Sequence, residues 1–237
     1  MPPKSTPRAP ADAARFRRLL LGWFRRRGRD LPWRRTRNPY RVLVSEIMLQ
    51  QTRVSRVLKY YPRFLRAFPT LRRLAGARPA AVREAWDGLG YYRRASQLHR
   101  LARIVAREAA GTIPDDPAAL RELPGIGPYT AGAVASFAFE RAVPAVDVNV
   151  ARVLRRAFHP RLPAGAAAAR TLWATAAGLL PRRGSAAWTF NQAIMELGAL
   201  VCTARRARCE ECPVASACRT GSRRLSATAS ARPRRGP

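Results

Sequence analysis

Residues 120–158 read LRELPGIGPYTAGAVASFAFERAVPAVDVNVARVLRRAF, and the order of residue types along this stretch decides the fold. Leu123-Pro124-Gly125-Ile126-Gly127 is too short for a strand–turn–strand and carries two glycines two apart. The run that follows, 129–139, is rich in Ala and apolar residues and suits a packed helix. The glycine-rich turn therefore opens a helix. Backbone N–H groups freed by such a turn, with those of the first helical turn, can face a phosphate oxygen directly or through a bound cation. Taken alone, a Gly-x-Gly turn reads first as a plain helix–helix connector. Beyond it, after Glu140, stands Asp147, the single acid of residues 141–195, in an otherwise apolar and basic neighbourhood.

Outward from this stretch the periodicity stays helical. Phe16, Leu19, Leu20, Trp23 and Phe24 recur at helical spacing over 13–27, and Leu31-Pro32-Trp33-Arg34-Arg35 then breaks the ladder. Residues 39–68 read as two helices joined by Leu49-Gln50-Gln51-Thr52, with Thr52 as the expected cap of the second and the glutamines exposed. Glu46 lies in the apolar stretch before that connector. It is either on a solvated flank or turned into a cleft, where burial would raise its pKa and suit it to deliver a proton. Short helices follow at 71–75 and 79–86, then Leu89-Gly90-Tyr91-Tyr92 and a helix at 94–109. Two adjacent tyrosines cannot both enter the core from one helix face, so one is expected to be exposed as a stacking or intercalating residue. Further helices are expected at 148–158, 164–180 and 189–200. No six residues alternate as a strand would, so the fold class is all-α.

Charge narrows the partner. Lys and Arg number 45 against 14 Asp and Glu, a net +31 over 237 residues. A field this positive matches a nucleic-acid backbone. An anionic membrane is the competing partner, but no long helix is basic on one face and apolar on the other in the manner of a surface anchor. No apolar run is long enough to span a bilayer, and the opening MPPKSTPRAPADA lacks a signal-peptide core, so a cytoplasmic protein is expected. Residues 1–12 and 219–237 read as disordered basic tails. His99 and His159 have no acid or Cys partner in the pattern and read as surface or boundary residues.

The four cysteines, Cys202, Cys209, Cys212 and Cys218, form a C-x6-C-x2-C-x5-C run. Without a secretion signal they argue for metal rather than disulfides. Zinc and a [4Fe–4S] cluster both accept four thiolates, but only Cys209 and Cys212 make the short-spaced pair that zinc sites favour. Arg205, Arg206 and Arg208 between them make the loop a basic surface.

Together, LPGIGPYTAGAV, VDVNVARVL and the cysteine run resemble the helix-hairpin-helix DNA glycosylase superfamily with its C-terminal iron–sulfur loop. PWR at 32–34, SEIMLQQTRV at 45–54, GLGYYRRA at 88–95 and FNQAIMELGALVCT at 190–203 resemble its MutY-like adenine DNA glycosylase branch. The resemblance covers about residues 14–218 and implies two helical lobes. One, about 39–145, has six helices and holds the hairpin; 13–38 with 146–218 form the other, which carries a [4Fe–4S] cluster. It implies that Asp147 is the catalytic aspartate at the sugar, Glu46 the acid that protonates adenine at N7, Asn149 the support of the aspartate and Tyr129 a lining residue. Arg34 is implied near the extruded base. Gln50, Gln51, Thr52 and Leu89 belong to the connector and turn that face the opposite 8-oxoguanine, with Tyr91 as wedge. Gly125 and Gly127 are implied on the DNA backbone, with a monovalent or divalent cation as companion of the hairpin.

The expected activity is monofunctional hydrolysis of the N-glycosidic bond of adenine opposite 8-oxoguanine or guanine, by a monomer acting on double-stranded DNA at the nucleoid. The lyase-type lysine position holds Tyr129, and the chain has only Lys4 and Lys59. Two features depart from the family pattern. VDVNV stands where VDGNV is usual, and the sequence ends after the cysteine loop, where the branch carries a second domain that helps recognise 8-oxoguanine, so weaker damage discrimination is expected. A mismatch-specific thymine or uracil glycosylase acting opposite guanine is the alternative, and a catalytically silent damage-binding protein a further one.

Overall fold

The computed structural model of the chain describes residues 12–230; the rest of the expected N-terminal arm and residues 231–237 lie outside them. The described residues are organised as helices, with no strand among them. These are α1 (Ala13–Arg27), α2 (Pro39–Leu49), α3 (Val54–Ala67), α4 (Leu71–Ala75), α5 (Pro79–Ala85), α6 (Arg93–Glu108), α7 (Pro117–Arg121), α8 (Pro128–Phe139), α9 (Val148–Phe158), α10 (Ala166–Leu179), α11 (Gly184–Leu200) and α12 (Arg219–Ser230). The starts follow local chemistry. Proline occupies the first helical position of α2, α5, α7 and α8, where its missing N–H costs nothing. Asn38 and Asp116 cap α2 and α7 by accepting from Arg41 and Ala119 N–H at 3.0 and 2.9 Å. α11 begins five residues before the expected 189, because Gly184 and Ser185, which read as loop, continue a helix that Ala187 anchors in the core.

Two expectations are corrected. Residues 219–230 are not a disordered tail: they form α12, pinned at its start by Thr220 Oγ1 donating to Arg156 O at 2.7 Å and Ser222 N–H to Cys218 O at 2.8 Å. Gly221 lies so close to Ala215 that an added Cβ would meet its backbone at 2.9 Å. The second correction concerns the boundaries between the two compact units. Among the described residues they fall at Asp30–Arg141 for one unit, with 12–29 and 142–230 forming the other, where the expected division lay at about 38/39 and 145/146. The turn Pro32–Arg34 belongs with α2, since Trp33 sits edge-on to Tyr61 at 5.5 Å. Residues 143–145 belong with α11, whose Asn191 binds Val143 O at 2.9 Å and Ala145 N–H at 3.4 Å.

The first unit, α2 to α8, is built around α8, which is buried continuously from Thr130 to Ala138. Its Ala, Gly and Ser side chains let α2 and α7 pack closely on it. Phe64 and Trp86 are fully buried and meet edge-on at 5.5 Å, so Phe64→Ala would remove about 3–5 kcal/mol. The second unit packs α1, α9, α10, α11 and α12 around Phe16, Leu20, Leu154, Phe190 and Leu197. Glu196, 1% exposed on α11, is neutralised by a fork from Arg29 at 2.8 and 2.9 Å.

Candidate active site

In the first unit, the apolar run of α2 carries Glu46 into the interior, where it is 3% exposed. The solvated-flank alternative is thereby excluded. Tyr129, the second residue of α8, donates its hydroxyl to Glu46 Oε2 at 2.8 Å, and Gln50 Nε2 donates to Thr130 Oγ1 at 3.3 Å. The closeness of α2 and α8 thus brings together two of the expected catalytic residues. The turn before α8 takes the form read from the sequence. Gly125 has φ +81°, which favours glycine, and an added Cβ would also press on Gln97 at 3.0 Å. At Gly127, whose backbone is extended and exposed, nothing lies within 4 Å of an added Cβ, and no side chain caps the first turn of α8. Arg34 is half-buried on the turn Pro32–Arg34.

Gln51, Thr52, Leu89 and Tyr91 line a single groove of about 600 Å3, with Arg53, Arg56, Lys59 and Tyr60. Tyr91 is 60% exposed, and Leu89 is buried. Thr52 is not a helix cap: α3 is preceded by Arg53, and Thr52 Oγ1 accepts from Arg94 at 3.0 Å. Arg94 is the residue that sequence reasoning missed. It is 7% exposed and donates to Ile47 O at 3.1 Å, Met48 O at 2.9 Å, Gln50 O, and Gly90 O at 3.2 Å. Its guanidinium also lies 5.3 Å from the Tyr91 ring centroid and 5.6 Å from that of Trp86. Burial lowers its pKa from the usual arginine value, with Tyr91 opposing. One side chain therefore clamps the 50–52 connector and the turn at 90–91. Gln51 and Tyr91, one in each, have φ of +55° and +49°, a strained region for residues with a Cβ. The available signal was an arginine set between Tyr92 and Ala95 at the start of an amphipathic helix, one turn after a glycine.

In the second unit Asp147 caps α9. Its Oδ1 accepts from Val150 N–H at 2.7 Å and its Oδ2 from Asn149 Nδ2 at 2.7 Å. The support for this cap comes from α11. Asn191 holds the approach to Asp147, and Gly198 sits where a Cβ would meet Asn149 Cβ at 2.9 Å and its backbone O at 3.0 Å. Arg152 then donates to Asn149 Oδ1, Gly198 O and Cys202 O, each at 2.8 Å. Burial lowers the Arg152 pKa most, while Cys202 and Asp147 raise it. Asn191 and Gly198, seven apart in an otherwise apolar helix, were the legible signal of a helix face that receives another element. Val148 follows the acid with its side chain 77% exposed.

All four cysteines are free thiols and line one cavity with Val153, Arg156, Leu197, Val201 and Val214. Burial pushes the Cys212 thiol up to about 12, with the other three sulfurs adding to the rise; burial raises Cys218 as well. Donors already face the sulfurs, Arg156 to Cys202 Sγ at 3.3 Å and Gly221 N–H to Cys218 Sγ at 3.3 Å. Among the described residues no three Cys, His, Asp or Glu side chains converge closely enough to hold one metal ion. Four thiols lining one cavity are a donor set of the kind that a zinc ion or a [4Fe–4S] cluster accepts. Of the loop arginines, Arg205 and Arg206 are exposed, whereas Arg208 turns inward to Leu200 O.

Comparison with known proteins follows the same lines. The chain is 50% identical over 196 residues to an adenine DNA glycosylase of Mycobacterium tuberculosis, covering 82% of this chain and 64% of that protein. It is 45% identical over 224 residues to the human adenine DNA glycosylase, covering 90% of this chain and 40% of that one. The chain spans less than two thirds of the length of these two relatives. A solved thermostable thymine-DNA glycosylase matches with a TM-score of 0.82 at 30% identity, over 90% of this chain and 97% of that one. Residues 44–174 match the family described as HhH-GPD superfamily base excision DNA repair protein, and with more than half of its length so matched the chain belongs to that superfamily.

Proposed function

We propose that the protein is a monofunctional DNA glycosylase that hydrolyses the N-glycosidic bond of adenine mispaired with 8-oxoguanine or guanine. What carries the reading is the Glu46 carboxyl, buried and bonded by the Tyr129 hydroxyl. Burial disfavours the charged form, so Glu46 enters the reaction protonated. It gives its proton to adenine N7, which makes the base a better leaving group. The C1′–N9 bond breaks with its electron pair going to the base, and positive charge develops on the sugar. Asp147, whose two oxygens are held by the Val150 N–H and the Asn149 amide, meets that charge as an ion pair or a transient ester. Water then adds to C1′ and loses a proton, leaving free adenine and an abasic site. With Tyr129 at the lyase position and no lysine in the described hairpin, no Schiff base forms.

The target base must leave the helix to react, and this is easiest at a mismatch. The groove lined by Gln51, Thr52, Leu89 and Tyr91 reads the opposite strand, with Tyr91 as the wedge. Gly125 and Gly127 hold the backbone phosphate, through a cation or directly, and Arg34 lines the base pocket. Cys202, Cys209, Cys212 and Cys218 hold a [4Fe–4S] cluster, which when bound supplies electrostatic and structural support to the basic loop. The setting is double-stranded DNA of the nucleoid, where a monomer acts.

A second reading rests on the match to the thermostable thymine-DNA glycosylase, which this chain covers over 97% of its length. It assigns release of thymine or uracil opposite guanine. Incubation with duplexes containing A opposite 8-oxoguanine, A opposite G, T opposite G and U opposite G, followed by alkaline cleavage of abasic sites, separates the two. Adenine release from the first two is expected. Release of thymine or uracil without adenine would replace the first reading with the second.

A further inference from the structure

His99 on α6 contradicts its sequence reading as a surface or boundary residue: it is 6% exposed, and its Nε2 is buried with no hydrogen-bond partner. Buried polar nitrogens of this kind are rare and call for a reason. The ring lines a groove of about 470 Å3 between α5 and α6, whose rim carries Arg83, Arg100, Arg103 and Arg107. Val82, Ala95 and Ile104 line it as well.

Ser96, Arg100, Arg103 and Arg107 follow one another at intervals of four, three and four, so they form one stripe on α6 about 16 Å long at 1.5 Å per residue. Two of the four guanidiniums are engaged, Arg107 with Glu108 at 2.6 Å and Arg83 over the Tyr92 ring at 4.8 Å. Arg100 and Arg103 make no ion pair among the described residues. Glu84 and Glu108 are the only acids on the two helices. Like charges three residues apart repel, and the stripe is left without internal compensation. An arginine-rich composition accounts for exposed guanidiniums anywhere on the surface, but not for an unpartnered imidazole beneath them.

We propose that the α5–α6 groove is a phosphate-binding site, separate from the hairpin, in which His99 Nε2–H and the forks of Arg100 and Arg103 share the oxygens of one phosphate group. A phosphate monoester offers three non-bridging acceptor oxygens and a phosphodiester two beside its ester oxygens, set tetrahedrally so that several donors can converge on them, and guanidinium forks match that geometry. Nε2 is covered in the free protein, so binding includes rotation of the imidazole or of a rim side chain. The phosphate is a backbone phosphodiester of nucleic acid or a free phosphate ester. The length of the stripe favours the backbone, which presents a phosphate about every 3.4 Å of axis on each strand.

The site is tested on the full chain labelled with 15N-histidine, whose two histidines give two imidazole signals that His159→Gln assigns. Inorganic phosphate and, separately, a short undamaged duplex are titrated in at low ionic strength. The expected result is a saturable shift of the His99 nitrogens with inorganic phosphate, with affinity about tenfold weaker in the Arg100→Gln/Arg103→Gln variant. Those two positions are exposed, so the variant folds even where a change at His99 itself would not. A matching, variant-sensitive shift with the duplex identifies the DNA backbone as the source; a response to phosphate alone identifies a free ester. No saturable shift with either probe, or an equal response in the double variant, overturns the proposal. The readout does not involve base release, so the glycosylase reading stands or falls separately.

Discussion

The two candidate acids are held by opposite means. Glu46 lies inside an apolar helix, nearly without exposure, with a tyrosine hydroxyl on one oxygen. Asp147 is half-exposed at a helix start, and each of its oxygens accepts an N–H. The proposed function asks opposite things of these identical groups, a proton from Glu46, where burial disfavours the charged form, and a negative charge from Asp147.

The sharpest way to break this contrast is to neutralise the anion. Asp147→Asn keeps the shape and the Val150 cap but removes the charge. Base release should fall by more than about 10⁴-fold, with mismatch binding in a gel-shift assay largely intact. Equal loss of both would remove Asp147 from the chemistry. On the other side, Glu46→Gln still accepts from Tyr129 but has no proton to give, and single-turnover release should drop by about 10²–10⁴-fold. A rate within a few-fold of the parent would leave Glu46 a structural residue.

The same contrast shows how much could be read in advance. Glu46 and Asp147 were legible because each is an acid in a stretch otherwise free of acids. The fold was legible because α8 is small and apolar throughout and follows a turn that needs glycine at Gly125. What stayed hidden is what positions them. Arg94 looked like one more positive charge among many, and only folding reveals that its donors meet carbonyls of two separate connectors. Asn191, Gly198 and Arg152 act on Asp147 from other helices, and such pairings lie outside the reach of local periodicity. α12 was misread because Ser, Ala and Arg describe a disordered tail as well as a helix, and its anchoring to Arg156 is a tertiary fact.

Arg94 sharpens the comparison from the side of recognition. Lysine keeps the charge but cannot span these acceptors. Arg94→Lys should weaken binding to a mismatched duplex by about 10- to 100-fold, while the release rate at saturating enzyme changes less. A matching loss in the saturated rate would place Arg94 with the chemistry instead.

The smallest expected effect separates stability from catalysis. Burial, and then Arg219 at the start of α12, hold the His159 imidazole below its ordinary value, and its Nε2 meets Thr175 Oγ1 at 2.8 Å. A histidine whose folded value is depressed contributes stability above its unfolded value of about 6.5, and that stability is lost as pH falls through the folded value. His159→Gln should therefore flatten the fall in thermal midpoint on acidification below about pH 6.5 and leave the neutral-pH rate of base release unchanged. An undiminished acid slope would locate the sensitivity elsewhere.

The central claim is that one acid works protonated and the other ionised, and the pH dependence of single-turnover adenine release from an A opposite 8-oxoguanine duplex tests it most directly. The parent rate should fall on the alkaline side as Glu46 loses its proton. Glu46→Gln should abolish that alkaline limb. An alkaline limb that survives in Glu46→Gln, at the same pH and with the same slope, would contradict the account.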